Sequence, residues 1–369
     1  MRTIKVAWDN CFAHRHQTGT GIYASRLLEH LVQRTDLQID VFKGWPSSER
    51  PEGRVKRALH LAGKMAWTHI LLPLRLNSFD VLHSPAFIAP IASPCPKVIT
   101  VHDVTYLLYP SYFTSPWLRY MKSVMPATIK SAAAIICGSE HSRQDIARAY
   151  SLAPERIHAI PYGVDHQRFF PAAALDQQWA RTIGIRGDYV LHVGEISHRK
   201  NIPTLLRAIA QLRSRGKWNE MQLVLAGPDN AGMPGADEVR KTIKELDLAS
   251  SVVLAGHVPD EHLSGLYVQA RLLVMPSFYE GFGFPVLESM AAGTPVVASN
   301  TSSLPEVAGD AAILVSPSDE LGLADAIAGV LRSPVVAADL RARGLAQARR
   351  FSWQRTAAAT MTVYRAVAG

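Results

Sequence analysis

Residues 270–280, Ala270-Arg-Leu-Leu-Val-Met-Pro-Ser-Phe-Tyr-Glu280, run into Gly281-Phe-Gly-Phe-Pro-Val-Leu-Glu-Ser-Met-Ala-Ala-Gly293. The first apolar run has the length and composition of a buried strand, and the second half reads as a short helix. Pro285 suits the first helical turn and Gly293 the position just past its end. Such a helix turns its free N–H groups and positive dipole end back on the Gly281–Gly283 bend, where an anion can sit. Glu280 lies in the bend and Glu288 about one turn into the helix, so both can face one small polar ligand. An ionised carboxylate accepts two hydrogen bonds from a vicinal diol, which makes sugar or ribose hydroxyls natural partners. Spacing alone leaves two other readings open, a pair of solvated surface carboxylates and a hydrolase acid–base or nucleophile pair.

Outward from this unit the chain keeps alternating. Ile4–Trp8, Ile39–Phe42, Val81–His83, Lys97–Val101 and Ala134–Cys137 read as strands, with helices expected around Tyr23–Gln33, Leu118–Lys130 and Ser142–Tyr150. The pattern restarts with Tyr189–Val193, Gln222–Ala226, Val252–Ala255, Leu272–Met275 and Val296–Ala298. Alternation of this kind predicts parallel sheets sandwiched by helices, here as two doubly wound, Rossmann-like α/β domains with ligands at the strands' carboxyl ends. Glycine and two prolines interrupt the periodicity between Pro161 and Pro171, which places the linker there. The expected domains are 1–168 and 172–350.

Length agrees with two domains, since 369 residues are many for one core. The first residues, Met1–Trp8, read as a strand and lack the long apolar stretch of a secretory signal. No apolar run approaches the ~20 residues of a membrane span. Three widely spaced cysteines, Cys11, Cys95 and Cys137, suit a reduced cytoplasmic compartment. Residues 1–168 hold 20 Lys and Arg against 12 Asp and Glu, whereas residues 169–369 hold 19 of each. The basic half suits an anionic membrane surface or a diphosphate-bearing lipid acceptor. No nucleic-acid module is recognisable, so no nucleic-acid partner is expected.

Three further segments carry chemistry. Gly194-Glu-Ile-Ser-His-Arg-Lys-Asn201 joins a strand to the helix expected at Thr204–Arg213, and its Arg199 and Lys200 put positive charge where a diphosphate would lie. Thr18-Gly-Thr-Gly-Ile-Tyr23 is a Gly-x-Gly bend between the first strand and first helix. It lacks the third glycine of the dinucleotide fingerprint, and no acidic residue clearly ends the second strand, which counts against a dehydrogenase. Val98-Ile-Thr-Val-His102-Asp103 sets a His-Asp pair at a strand end. No Asp-x-Asp occurs, and the fourteen histidines form no ligand cluster, so no metal or other cofactor is expected. Arg54–Leu76 interleaves basic and apolar residues, as either a membrane-surface helix or an ordinary packed one. Tyr106–Met125 is dense in aromatics and could line an acceptor groove or fill core.

The Glu280–Glu288 run resembles the paired-glutamate motif of family 4 retaining glycosyltransferases, GT-B enzymes that transfer a sugar from a nucleotide donor. The resemblance continues through Ala291-Ala-Gly-Thr-Pro-Val-Val-Ala-Ser299, Leu304-Pro-Glu306 and Gly309-Asp-Ala-Ala312, and covers almost the whole chain. It implies that Glu280, with Gly281, Phe282 and Gly283, meets the donor sugar and Glu288 the ribose. Lys200 would bind the diphosphate with Arg199, Gly19 and Gly21 would underlie the donor phosphates, and His102 would position a sugar hydroxyl. Some relatives carry arginine just after the glycine of the 194–201 segment, where this chain has Glu195. The resemblance also implies that a final helix, Trp353–Val367, crosses back to the N-terminal domain, and that the leaving phosphate takes the acceptor's proton. The Thr-Val-His-Asp and Arg-Lys-Asn runs are most similar to bacterial mannosyl- or rhamnosyltransferases of surface polysaccharides. The resulting expectation is a cytoplasmic enzyme, suited to the inner face of a membrane, that moves mannose from GDP-mannose to a saccharide or lipid-linked saccharide. A UDP- or dTDP-sugar donor, a sugar-nucleotide epimerase, a glycosidase and a non-catalytic binding module are the alternatives.

Overall fold

The computed structural model describes residues 2–13, 18–44, 53–113, 115–218, 220–229 and 234–369; Met1 and Thr114, from stretches named above, lie outside them. The chain forms two compact units, Met1–Gly163 with Trp353–Gly369, and Val164–Ser352.

The first unit holds β1 (Ile4–Asp9), β2 (Leu37–Phe42), β3 (Val81–Ser84), β4 (Lys97–Thr100), β5 (Ala134–Cys137) and β6 (Ile157–Ala159) in the order β2-β1-β3-β4-β5-β6. Every pairing is parallel. Parallel strands covered by helices on both faces lose the in–out alternation, and β4 and β5 are buried along their whole length. The final helix, Trp353–Ala368, belongs to this unit and packs on the helix Gly19–Leu31. A buried hydrogen-bond chain fastens it: Tyr364 Oη to His83 Nδ1 at 2.5 Å, His83 Nε2 to Thr100 Oγ1 at 2.9 Å, and Thr100 Oγ1 to Tyr23 Oη at 3.0 Å. Burial drives the His83 pKa down to about 3, so the imidazole that joins them is neutral.

The second unit holds β7 (Tyr189–Val193), β8 (Gln222–Ala226), β9 (Val252–Gly256), β10 (Leu272–Met275), β11 (Val296–Ser299) and β12 (Ile313–Val315). Their order is β12-β11-β10-β7-β8-β9, again all parallel. Two strands, β8 and β9, build outward from β7 on one side, and the chain then returns to lay β10 on the other. The topological switch point therefore lies between β7 and β10, the place where doubly wound sheets bind ligands. All four residues of β10 are fully buried, and each Leu or Met contributes about 1.5–3 kcal/mol through burial.

Two features differ from the sequence reading. The edge strands β6 and β12 were not expected; they are short and, unlike the core strands, mostly only partly buried. Gly19 and Gly21 are not in a loop; they open the helix Gly19–Leu31. Thr18 accounts for this, since its Oγ1 accepts from Gly21 N at 3.2 Å and caps the first turn despite the poor helix propensity of glycine.

Candidate active site

The loops after β7 and β10 meet at the switch point. After β7 the chain passes Gly194 and makes a 3₁₀ turn at His198–Lys200. Asn201, in the left-handed region at φ 53°, then starts the helix Ile202–Ser214. Asn201 Nδ2 donates to Pro276 O at 3.0 Å and Pro317 O at 2.7 Å, which ties the turn to the loop after β10. Crowding here demands glycine. A Cβ on Gly227, just past β8, would lie 2.1 Å from Gly194 O, and one on Gly194 would lie 2.7 Å from Lys200 Cε.

This packing closes two cations over one carboxylate. Arg199 Nη1 reaches Glu280 Oε2 at 2.5 Å and Tyr279 O at 2.8 Å, while Lys200 Nζ reaches Glu280 Oε1 at 2.8 Å. Ser277 Oγ donates to the same Oε1 at 2.8 Å. Glu280 N donates to Ser302 Oγ at 3.0 Å, and Ser302 holds a strained φ of 56° to receive it. Burial would raise the Glu280 carboxyl, but the Arg199 and Lys200 charges override it and hold the pKa at about 2. Burial also pulls the Lys200 ammonium below its usual value, against the opposing attraction of Glu280. Two cations thus share the single carboxylate of Glu280, and Glu195 acts on Lys200 from further off. Arg199 keeps 27% of its side chain exposed and Lys200 only 6%. The cluster can therefore receive an anion through the guanidinium.

The helix after the bend spans Phe284–Ala292, with Gly283 (φ 113°) before it and Gly293 (φ 77°) behind it. No side chain caps its first turn, and the positive end of the helix dipole faces the Gly281–Gly283 bend. In the second turn, Glu288 is buried and accepts from Tyr267 Oη at 2.8 Å through Oε2. Burial raises its pKa above the ordinary carboxylate value, and the Tyr267 bond opposes that rise. Glu280 and Glu288 thus sit in opposite electrostatic settings within one strand–turn–helix unit.

Other expected residues fall differently. Phe282, named for the donor sugar, is buried, with its ring against Phe284 at 5.3 Å and Phe351 at 6.1 Å; apolar packing draws the side chain into the core. In the first unit, His102 is 9% exposed and both ring nitrogens are engaged. Pro85 O, which can only accept, takes the Nε2 proton at 3.2 Å, so Nδ1 accepts from Tyr162 Oη at 2.7 Å. Burial lowers the His102 pKa to about 4. It is a neutral, oriented imidazole, and contact with a sugar hydroxyl requires release of one of these bonds.

The sequence reading missed Tyr267, on the helix Asp260–Gln269, and the serines around Glu280. It also missed His192 on β7, whose Nδ1 bonds Val274 O at 2.9 Å while the buried Nε2 has no partner. Gly227, directly after a strand, was the one legible signal among the missed residues. Among the described residues no three His, Cys, Asp or Glu side chains gather as metal ligands.

Two family models match. One described as "Glycosyltransferase Family 4" covers residues 18–168, and one described as "Glycosyl transferases group 1" covers 177–350. The chain is 34% identical over 312 residues to O-antigen chain mannosyltransferase B of Escherichia coli, spanning 84% of this chain and 78% of that protein. It is 35% identical over 233 residues to MMP alpha-(1->4)-mannosyltransferase of Mycolicibacterium hassiacum, spanning 61% of this chain and 52% of that protein. Among solved structures, sucrose-phosphate synthase of Thermosynechococcus elongatus superposes with a TM-score of 0.77 at 22% identity, covering 98% of both chains. WaaG, described as a glycosyltransferase involved in lipopolysaccharide biosynthesis, gives 0.73 at 17% identity, covering 99% of this chain and 100% of that one. These likenesses establish the GT-B fold.

Proposed function

This chain belongs to the family 4 glycosyltransferases, and we propose that it is a retaining, metal-independent hexosyltransferase using GDP-mannose. The acceptor in this reading is a saccharide or lipid-linked saccharide of a growing surface polysaccharide. The observation that carries the proposal is the cluster Arg199–Glu280–Lys200 at the β7/β10 switch point, two cations closed over one carboxylate.

Breaking a sugar–diphosphate bond leaves negative charge on the diphosphate, and fixed cations stabilise it best where water is scarce. Arg199 and Lys200 supply two such charges, and the N-terminus of Phe284–Ala292 adds partial positive charge. In this reading the diphosphate draws the cations off Glu280, which is then released toward the sugar. Glu288 accepts from the ribose hydroxyls. The acceptor hydroxyl attacks the anomeric carbon on the face the diphosphate leaves, and its proton passes to the departing phosphate oxygen. Mannose is supported by the two mannosyltransferases among the relatives.

The test is thermal stabilisation by GDP, UDP, dTDP and their sugars, with and without magnesium, followed by turnover of the donor that binds. A ligand at ~100 times its dissociation constant stabilises by about 2.7 kcal/mol. A metal-independent shift with GDP and GDP-mannose, and an α-linked product, are the expected results. A UDP preference replaces the donor, a β-linked product overturns retention, and no shift with any nucleotide overturns the donor site.

A further inference from the structure

One buried imidazole beside the cation cluster is only half used. His192 is fully buried on β7, and its Nδ1 bonds Val274 O at 2.9 Å across the β7/β10 junction. A carbonyl oxygen can only accept, so Nδ1 carries the proton and Nε2 presents its lone pair. That nitrogen is buried and has no partner among the described residues. Burial, with the Lys200 charge adding to it, drives the His192 pKa down to about 4, so the ring is a neutral acceptor at pH 7. A buried acceptor left unpaired costs stability, and such a group calls for a role that repays it.

The surroundings of Nε2 point to its partner. His192 and Val190 face the same side of β7. Val190 belongs to one core cluster with Ile202 and Leu205 of the helix Ile202–Ser214, which Lys200 and Asn201 lead into. The Lys200 ammonium is folded back over the end of β7, where its Nζ lies 2.8 Å from the place a Cβ on Gly194 would take. Lys200, Glu280 and Arg199 all act electrostatically on His192. An ammonium has three N–H donors, and Lys200 gives one to Glu280 Oε1 at 2.8 Å. A buried acceptor without a donor thus shares this corner with a buried cation that has several to give.

We propose that His192 is a positioning residue for diphosphate binding: when a diphosphate draws Lys200 off Glu280, Nε2 accepts one ammonium N–H and keeps the other donors on the phosphate oxygens. The inference rests on the reading of Arg199, Glu280 and Lys200 as a diphosphate site, and it supplies the group that holds Lys200 once Glu280 lets go.

Full-length variants titrated calorimetrically with inorganic pyrophosphate and with GDP test it. His192→Leu keeps the buried volume and removes the acceptor, so it should bind both ligands about tenfold more weakly than the parent. His192→Gln puts an amide oxygen within reach of the ammonium and should recover to within about threefold. In a Lys200→Met background, His192→Leu should cost nothing further, because its effect runs through the ammonium. Should His192→Leu melt early, His192→Asn replaces it, since asparagine can keep the bond to Val274 O without reaching the ammonium. Equal affinity of parent and His192→Leu overturns the proposal, and so does an undiminished loss in the Lys200→Met background. A parent that binds neither pyrophosphate nor GDP overturns the diphosphate reading and this inference with it. Binding that depends on His192, without turnover of GDP-mannose, supports the inference and overturns only the choice of donor.

Discussion

Replacing Glu280 with Gln keeps the side chain's volume and removes the charge that Arg199 and Lys200 share. Its carboxyl titrates at about 2 against an ordinary 4.5, because the two cations outweigh the effect of burial. At 1.36 kcal/mol per pKa unit that gap is worth about 3 kcal/mol to the folded protein. The folded state holds the Glu280 proton more weakly than the unfolded chain. The contribution is therefore complete above pH 4.5, about half gone by pH 3, and lost as pH falls through about 2. At pH 7, Glu280→Gln also removes from the buried Lys200 its hydrogen-bonded counter-charge and leaves Glu195 as the remaining carboxylate that acts on it. Breaking a buried pair in this way costs about 3–5 kcal/mol, on the order of 10 °C in the melting of the 164–352 unit. The local charge becomes more positive by one unit, so GDP should bind more tightly, by roughly tenfold or ~1.4 kcal/mol, while sugar transfer falls by orders of magnitude. Chemical denaturation at pH 7 and pH 3, calorimetric titration with GDP, and donor turnover measure the three effects. A stability gap to the parent that does not narrow at pH 3 refutes the electrostatic account. A fall in GDP affinity that matches the fall in turnover refutes the assignment of Glu280 to the sugar rather than the diphosphate.

Three other perturbations discriminate as well. Glu288 must be ionised to accept from ribose and its carboxyl is raised, so nucleotide affinity should begin to fall at a pH above 4.5. Tyr267→Phe removes the bond that opposes the rise, and titrations across pH 4–8 should show the fall move to still higher pH. Gly227→Ala forces a Cβ against Gly194 O and should destabilise by more than ~2 kcal/mol and loosen the nucleotide site. Gly256→Ala, at φ 63° in open space, should cost only the ~1 kcal/mol left-handed penalty, which denaturation of both variants would show. His102 is already neutral above pH 5, so the rate profile should carry no inflection from it near pH 6.5. Such an inflection, abolished by His102→Gln, would contradict its burial.

Much of the framework is legible locally. The apolar runs that became β7, β8 and β10 lie where periodicity puts them, and Pro285 and Gly293 bracket the short helix because their backbone preferences act within a turn. What the sequence reading did not show was the short edge strands, which pair on one side only and are mostly only partly buried. It also missed the Thr18 cap, where one side-chain bond outweighs two helix-poor glycines. His102 was readable as a strand-end histidine; its loss of both free nitrogens was not, because Tyr162 and Pro85 lie 60 and 17 residues away in the chain.

The sequence by itself determined which chemistry was present: two glutamates around a glycine bend, an Arg-Lys pair at a strand-to-helix turn, and a helix that starts at that bend. These follow from residue type and short-range spacing, which local sterics and dipoles control. Only the tertiary structure decided that Arg199 and Lys200 close on Glu280, 81 and 80 residues further along the chain. It also decided that Glu288 answers to Tyr267, leaving one carboxyl depressed and the other raised. The reason is strand order. The return of β10 to the free side of β7 sets the two loops together, and no local pattern in the chain encodes which side of β7 that strand will take.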